Sequence, residues 1–250
     1  MMKAPLFSRS RPNRPGIWSP PRGGIYAPGA ASSLVNAYSV EFDGVSEYMG
    51  TDADDTLASK SYSFWAKSTE TGANSVFDHG ARGTGAFHFN WDSGRAFLFL
   101  HEAGGGGYLY RYWVDNSAQD DGNWHHHVLY LEHDDITNCK WYVDGVLQTA
   151  TTTNATGTAE SYTTGIRIGR GGSTYFDGLL DEFSVFDGEL SPADIVLIFS
   201  GGNPTDLSPF SPEHWWRMGD SGTATSAVED VAGDENGSLF NGPSYELDVP

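Results

Sequence analysis

Three consecutive histidines, His125, His126 and His127, have the residue type and spacing that could bind a metal ion. If the run is a β-strand, His125 and His127 share one face about 6.6–6.8 Å apart, and His126 points to the other face. His133 follows roughly 20 Å further along the strand and cannot join them. A zinc site needs three or four converging ligands. The run therefore predicts a buried strand. A metal site here would need a further ligand from a distant segment.

The sequence contains none of the usual motifs for a nucleophilic or phosphate-binding site. No Gly-x-Ser-x-Gly motif is present, and Cys139 ends a polar loop without a recognisable partner arrangement. The glycine-rich stretches "GTGAF" and "GGGG" lack the Lys-Ser/Thr pair and the following helix of a phosphate loop. These stretches are interpreted as turns.

A row of tyrosines is the first candidate for ligand binding. In "YLYRYW", Tyr108, Tyr110 and Tyr112 share one face of a strand, while Leu109 and Trp113 lie on the other with Arg111. Aromatic faces can stack on sugar rings, and the tyrosine hydroxyl can stay hydrated. The alternative is that the tyrosine face covers the core. Of the two, we favour a core position for Tyr110.

The composition predicts an all-β fold. The chain has 250 residues and 31 glycines, and short strand-like runs succeed one another from Tyr38 onward. This pattern is typical of an antiparallel sandwich or jelly roll. Asp144-Gly145 predicts a two-residue hairpin turn. One short helix is expected in "SPADIVLIF", with Ser191 as its N-cap and Pro192 at its first position.

Residues 1–35 are predicted to form an extended, basic, proline-rich arm. Residues 1–30 contain five basic side chains and no carboxylate, so the other 220 residues carry nine basic against 33 acidic side chains, a balance of −24. Six of the twelve prolines lie in the same thirty residues, and proline is excluded from central strands. The acidic body should repel nucleic acid and anionic membranes.

Apolar side chains in the arm predict that it binds a partner, because they are unusual in a purely solvating tail. The alternative is a disordered tail without a role. The residues expected to contact the partner are Lys3, Phe7, Arg9, Arg11, Arg14, Ile17, Trp18, Arg22 and Tyr26.

Several classes of protein are disfavoured by what the sequence lacks. No apolar run approaches the ~20 residues of a membrane-spanning helix. The first residues lack the apolar segment of a secretory signal. Because Cys139 is the single cysteine, an intrachain disulfide scaffold is excluded.

Taken in order, seven motifs of the chain resemble the laminin-G-like, concanavalin A-like family. They are Phe42–Gly44, Ser63–Lys67, Asn123–His127, Trp141–Gly145, Ile166–Arg170, Tyr175–Phe186 and Leu190–Ile195. The resemblance covers roughly residues 36–200 and implies a two-sheet antiparallel jelly-roll sandwich. It also implies that the Trp-His-His opening of the strand is a structural feature.

The last fifty residues are placed unusually for this family. Residues 201–250 resemble a segment that in many such domains comes before the strand at Phe42, whereas here it follows the short helix. The segment is expected to pack on its own jelly roll, as in a circular permutation, or on that of a neighbouring subunit. A separate domain is disfavoured, because ~45 residues without a disulfide or metal rarely form a stable core.

The resemblance raises two further expectations about acidic residues. Laminin-G-like domains often hold calcium at the rim of the sandwich, and Asp78, Asp92, Asp134 and Asp135 are the candidate ligands. Some relatives are glycoside hydrolases, which need paired carboxylates. Asp181 and Glu182 are expected on opposite faces of one strand, without the alternating carboxylate ladder of the related glucanases. The chain is therefore predicted not to be an enzyme.

These observations predict a structural protein of a virus particle, such as a bacteriophage. In this hypothesis the arm binds capsid or tail proteins and the sandwich is displayed on the particle. The resemblance supports it, because laminin-G-like domains occur in phage structural proteins. The alternative is a free carbohydrate-binding adhesin or lectin, and a glycosidase ranks third. A cell-surface glycan and a second copy of the chain remain open as partners.

Overall fold

The structure is a computed structural model that describes residues 34–51, 59–79, 87–103, 107–114, 119–159, 165–220 and 227–250. All of these residues belong to one compact unit, Ser32–Pro250. The predicted arm lies outside the described residues up to residue 33. No helix in the described part of the chain is long and apolar enough to cross a membrane.

Antiparallel strands make up most of the ordered elements. In chain order they are β1 (Ser39–Asp43), β2 (Tyr48–Thr51), β3 (Lys60–Lys67), β4 (Asn74–His79), β5 (Phe87–Asp92), β6 (Arg95–His101), β7 (Tyr108–Trp113), β8 (His125–Leu131), β9 (Lys140–Val143), β10 (Val146–Leu147), β11 (Ala150–Asn154), β12 (Ile166–Ile168), β13 (Arg170–Gly171), β14 (Thr174–Tyr175), β15 (Asp177–Asp187), β16 (His214–Trp216), β17 (Ala227–Val228), β18 (Gly237–Phe240) and β19 (Ser244–Glu246).

The strands form two large sheets. The eight-stranded sheet has the order β10-β9-β8-β3-β15-β1-β19, and β16 also pairs with β15. The nine-stranded sheet has the order β11-β7-β6-β5-β4-β12-β2-β18-β17, and β13 and β14 form a separate hairpin. The predicted all-β, two-sheet sandwich is therefore confirmed.

An aromatic core joins the inner faces of the two sheets. Phe64 and Phe183 come from the eight-stranded sheet and stack with ring centroids 5.6 Å apart. Phe77 of the nine-stranded sheet meets the edge of Phe183 at 5.2 Å, and Phe89 meets Phe64 at 6.4 Å. Fully burying each such side chain contributes about 1.5–3 kcal/mol, so these contacts hold the sheets together.

Helix α1 (Pro192–Phe199) covers the outer face of the eight-stranded sheet. Its N-cap is Ser191, whose hydroxyl accepts a hydrogen bond from the backbone N–H of Asp194. Ile195 and Ile198 pack into a second apolar cluster with Val128 of β8 and Trp215 of β16. The predicted helix is confirmed, and the eight-stranded sheet is buried on both faces where the helix lies.

The hairpin between β9 and β10 turns at the predicted dipeptide. Asp144 and Gly145 have φ values of 49° and 77°, and Val143 pairs with Val146. Two successive positive φ values are required by the tight turn that matches the twist of the strands.

The C-terminal segment pairs with strands of the same chain. β16 lies beside β15, β18 lies beside β2, and β19 lies beside β1. Trp216 is fully buried, and its indole N–H donates to the backbone carbonyl of Glu235 at 2.8 Å. Residues 201–250 therefore supply strands to both sheets.

We expect truncation after Gly202 to unfold or aggregate the protein. The truncation removes β16 and β19 from the eight-stranded sheet, together with Trp216 and Met218, which are both fully buried. The core side chains that these residues cover would then be exposed to water. Circular dichroism and size-exclusion chromatography measure the outcome, with removal of Pro250 alone as the control. A truncated chain that stays monomeric and melts cooperatively would contradict this expectation.

Candidate functional site

The tyrosine row of β7 lies on the outer face of the nine-stranded sheet. Leu109 and Trp113 are buried in the core, whereas Tyr108 keeps 44% of its surface exposed and Tyr110 and Tyr112 are half-buried. The core position favoured for Tyr110 is therefore wrong, because Leu109 and Trp113 already fill the inner face of this strand.

Strand β6 adds two phenylalanines to the same outer face. Cross-strand pairing places Phe99 opposite Tyr110 and Phe97 opposite Tyr112. The ring of Phe97 meets that of Tyr112 edge-on at 4.7 Å, and Tyr110 stacks on Tyr112 at 4.8 Å. We call Phe97, Phe99, Tyr108, Tyr110 and Tyr112 the aromatic platform.

A cleft of about 270 Å³ runs beside the aromatic platform. Its floor includes His88 and Asn90 of β5, Phe99 and Tyr108 line one side, and the β13–β14 hairpin with Thr174 lines the other. A smaller cavity of about 110 Å³ continues it and shares Asn90, Phe99 and Thr174. The cleft thus combines apolar rings with hydrogen-bonding groups.

The β13–β14 hairpin packs closely on the floor of the cleft. A Cβ atom added at Gly171 would lie 2.8 Å from both the Asn90 Oδ1 and the Ser75 Oγ atoms. Only glycine permits this approach. Ser75 in turn donates a hydrogen bond to Asn90 Oδ1 at 2.7 Å, which fixes the orientation of the Asn90 amide.

A chain of polar side chains lies beneath the cleft. Arg167 donates from Nε to Asp78 Oδ1 at 2.7 Å, and its Nη2 donates to the other carboxylate oxygen. His88 Nδ1 lies 3.6 Å from Asp78 Oδ2, and His88 Nε2 lies 3.3 Å from His101 Nε2. Burial raises the pKa of Asp78, and the hydrogen bonds from Arg167 oppose that rise. This network holds His88 in the floor.

The three consecutive histidines occupy three different environments. His125 is partly exposed and lies 2.7 Å from Asp144, whose hydrogen bond raises the pKa of His125. His126 Nε2 lies 2.8 Å from Ser63 Oγ, and burial lowers its pKa to about 4. His127 is fully buried between the rings of Trp91 and Trp141, and burial lowers its pKa as well.

The histidine strand is thus structural, as its family resemblance implies. His126 and His127 are held as neutral side chains on opposite faces of a buried strand. Among the described residues, no group of three or more His, Cys, Asp or Glu side chains could hold a metal ion.

The four candidate calcium ligands do not come together. Asp78 is buried against Arg167 within β4, and Asp92 ends β5. Asp134 and Asp135 lie in the loop after β8, where Asp135 caps a short 3-10 helix. The described residues form no group of three or more metal-ligating side chains. Asp78 and Asp92 belong to the nine-stranded sheet, whereas Asp134 and Asp135 belong to a loop between two strands of the eight-stranded sheet. Calcium binding elsewhere stays a prediction from the resemblance.

Asp181 and Glu182 lie on the same side of β15, contrary to expectation. The pairing of β15 with β3 shifts register between Asp181 and Ser184, and Glu182 has a φ of 50°. This β-bulge breaks the alternation of the strand. Burial raises the pKa of each carboxyl group, and the nearby carboxylate of Asp220 adds to the rise.

Both carboxyl groups accept hydrogen bonds from other groups of the protein. Asn36 donates to Asp181 at 2.9 Å, Arg217 Nε donates to Glu182 at 3.1 Å, and the indole N–H of Trp215 donates to the same carboxyl group. Burial raises the pKa of Glu182 to about 7, and Arg217 opposes that rise. The pair thus has structural partners. The cavity that the described residues form at Glu182 measures about 10 Å³, which is too small to admit a sugar.

The residues predicted to contact a partner from the arm, Lys3 to Tyr26, lie outside the described residues.

Cys139 is buried, and burial raises the pKa of its thiol to about 12. Its sulfur accepts a hydrogen bond from the backbone N–H of Glu132 at 3.2 Å. Cys139 is therefore an unreactive core residue.

Sequence reasoning missed five residues of the site: His88, Asn90, Phe97, Phe99 and Thr174. The alternation in "FHFNWD" and "RAFLFLH" places His88 with Asn90, and Phe97 with Phe99, on one face of each strand. The alternation shows that the two residues of each pair share a face, but it does not show which face of the strand is outward.

A laminin-G family model, described as the concanavalin A-like lectin/glucanases superfamily, matches residues 43–196. This match confirms the resemblance that the motifs indicate. No curated protein matches the chain.

Two solved structures share the fold at low sequence identity, and a third is similar at a lower TM-score. A candidate carbohydrate-binding protein from Bacteroides ovatus ATCC 8483 superposes with a TM-score of 0.61 at 16% identity, over 87% of this chain and 62% of that one. The receptor-binding domain of botulinum neurotoxin D gives a TM-score of 0.51 at 13% identity, over 81% and 56%. Domains LG4-5 of the mouse laminin α1 chain give 0.48 at 12% identity, over 61% and 41%. This chain spans less than two thirds of each of these structures.

We expect the Glu182→Gln substitution to flatten the dependence of stability on pH. Because the folded pKa of Glu182, about 7, exceeds the ordinary value of 4.5, the folded state holds this proton more tightly. The resulting stability is full below pH 4.5 and is lost as the pH rises to about 7. Between pH 5 and pH 8 the wild type should lose on the order of 2 kcal/mol more than the variant.

Thermal and urea unfolding across this pH range measure the difference. The matched control is Glu189→Gln, which makes the same change in a surface ion pair with Lys140. The control should keep the wild-type slope. Equal slopes for the wild type and Glu182→Gln would show that Glu182 is ionised in the folded protein throughout.

Proposed function

The chain belongs to the concanavalin A-like lectin/glucanases superfamily, and from that premise we propose that it binds a carbohydrate without cleaving it. The site is the aromatic platform together with the cleft beside it. The observation that carries the proposal is the open cluster of aromatic rings on the outer face of the nine-stranded sheet, bordered by His88, Asn90 and Thr174.

The chemistry of the face suits a sugar. A pyranose ring presents C–H groups on its faces and hydroxyl groups around its edge, so it can stack on tyrosine and phenylalanine while its hydroxyls bond polar groups. Tyr108 is the most exposed ring and also lines the cleft. A ligand stacked on Tyr108 can therefore reach the Asn90 amide and the His88 ring.

Binding without hydrolysis is supported by the placement of the carboxylates. Glycoside hydrolases generally place two carboxyl groups across the scissile bond. In the described part of the chain, the cleft beside the platform is lined by no carboxylate, and the continuing cavity is lined by Asp92 alone. Asp78 lies beneath the floor of the cleft, where its carboxylate accepts a hydrogen bond from Arg167.

Display on a virus particle is a second proposal, and the sign of the charge favours it. Residues 1–30 carry five basic side chains, whereas the remainder has a balance of −24. An extended segment with arginine and aromatic side chains is suited to an acidic surface with apolar pockets. In this proposal the arm binds capsid or tail proteins, and the sandwich presents its carbohydrate-binding face outward.

We expect Tyr110→Ala to abolish binding on a glycan array, because Tyr110 stacks on Tyr112 at the centre of the platform. The melting temperature should fall by only about 2–4 °C, the effect of roughly 1 kcal/mol in a domain of this size. Tyr38→Ala is the control, since Tyr38 is a solvent-exposed tyrosine that precedes β1 in the other sheet. Retained binding in Tyr110→Ala would remove the platform from the site.

We expect deletion of residues 1–30 to leave the sandwich folded and to abolish incorporation into particles. The described strands pair among themselves from Ser39 to Glu246, so the circular dichroism spectrum and melting temperature should be unchanged. Mass spectrometry of purified particles measures the copy number. Normal incorporation of the deleted form would place attachment on the sandwich, and absence of the full chain from particles would refute display.

A further inference from the structure

We propose that the ligand of this face is an acidic saccharide and that Arg95 binds its carboxylate or sulfate group. The inference rests on the proposed carbohydrate-binding function and adds the chemical class of the ligand. Arg95 begins β6 and lies on the same face of that strand as Phe97 and Phe99. It therefore stands at one end of the aromatic platform.

Most basic side chains of the sandwich are already paired. The described residues include eight lysines and arginines in a body with a large excess of carboxylates. Five of the eight form ion pairs with carboxylates, and these are Lys60, Lys67, Lys140, Arg167 and Arg217. The three that form no such pair within the described residues are Arg95, Arg111 and Arg170.

Two of these three arginines have other partners. Arg170 lies over the rings of Tyr48 and Tyr175, at 5.0 and 5.3 Å, and donates from Nε to a backbone carbonyl. Arg111 lies 5.8 Å from the Trp113 ring and donates to Thr153. The Arg95 side chain is exposed and makes no hydrogen bond, ion pair or ring contact with the described residues.

The nearest acidic residue along the hairpin forms no ion pair with Arg95. Asp92 is its cross-strand partner at the turn between β5 and β6. The Asp92 carboxylate accepts a hydrogen bond from Ser93 Oγ at 2.7 Å and forms no ion pair with Arg95. Within the described part of the chain, the five N–H donors of the Arg95 guanidinium are thus available to a ligand.

A cavity of about 380 Å³ adjoins Arg95. Its lining includes Tyr112, the last ring of the platform, and the hydroxyl-bearing residues Thr151 and Thr152. Thr152 is the cross-strand partner of Tyr112. A cation beside an aromatic ring and two hydroxyl groups is a suitable arrangement for an oxyanion carried on a sugar.

The two cavities lie at opposite ends of one row of tyrosines. Tyr108 lines the cleft with His88 and Asn90, and Tyr112 lines the cavity with Arg95. The two residues are four positions apart on β7, a distance of about 13 Å at the usual strand rise. A saccharide stacked along the row can place its hydroxyls in the cleft and its acid group against Arg95.

The charge of the whole molecule makes this local contact decisive. A body with a balance of −24 repels anions at long range, so an acidic saccharide gains from this surface only where a cation is uncommitted. A guanidinium binds carboxylate and sulfate through paired hydrogen bonds. Since the contact is exposed, salt should weaken it.

The test compares pairs of saccharides that share a sugar backbone and differ in whether the acid group is present and charged. Oligogalacturonate and its methyl ester supply the carboxylate pair, and a sulfated galactan and its desulfated form supply the sulfate pair. Isothermal titration calorimetry of the full chain should show at least one acidic form binding about tenfold more tightly than its neutral counterpart, the usual value of one charge-assisted contact. The pair that shows the preference identifies the acid group.

Arg95→Gln should remove this preference while leaving the affinity for the neutral form unchanged. Arg95→Lys should keep part of it, because lysine retains the charge but loses the paired geometry. Lys140→Gln is the matched control, since it removes one positive charge from the opposite sheet and should preserve the preference. Unfolding of all variants is followed to exclude loss of folding.

The other outcomes separate the two proposals. Equal binding of acidic and neutral forms by the wild type, or an acid preference that survives in Arg95→Gln, overturns the role of Arg95 and leaves carbohydrate binding intact. A wild type that binds neither form of either saccharide, and no glycan on the array, overturns the proposed function and this inference together.

Discussion

Helix α1 and the chain that follows it close the outer face of the eight-stranded sheet, and the other features depend on that closure. Strands β3, β8 and β15 are covered on both sides, so their outward polar side chains must find partners within the protein. His126 meets Ser63, and Glu182 meets Arg217. These titratable side chains therefore have structural partners within the protein, and burial shifts their pKa values.

Because the helix covers the other sheet, the proposed ligand site lies on the nine-stranded sheet. Its inner face is filled by Phe77, Phe89 and their neighbours, and its outer face is covered in part by the β13–β14 hairpin. Aromatic rings lie on this outer face beside polar groups. Those polar groups are held by a second layer of contacts, Ser75 with Asn90 and Asp78 with His88. Preorganised polar groups beside an apolar surface are the usual composition of a ligand site.

Pairing within the chain also explains the unusual position of the last fifty residues. β19 lies at one edge of the eight-stranded sheet beside β1, and β18 lies beside β2 in the other sheet. The segment occupies its place through backbone pairing, which depends on register and not on the order of the segments along the chain. A permuted order can therefore give the same sandwich.

The sequence by itself determined the local structure. Strand alternation, the Asp144-Gly145 turn and the Ser191 cap are encoded by neighbouring residues, and the tyrosines of β7 share a face because side chains alternate along a strand. Only the tertiary structure decided which face of β7 is outward, since both faces carry large side chains that can be buried, Leu109 and Trp113 on one and the tyrosines on the other. It also decided that Glu182 turns toward Asp181 at a bulge, and that Phe99 and His88 lie beside the tyrosine row. The reason is physical: bulges and cross-strand neighbours arise from pairing between distant segments, and period-two patterning carries no information about the partner strand.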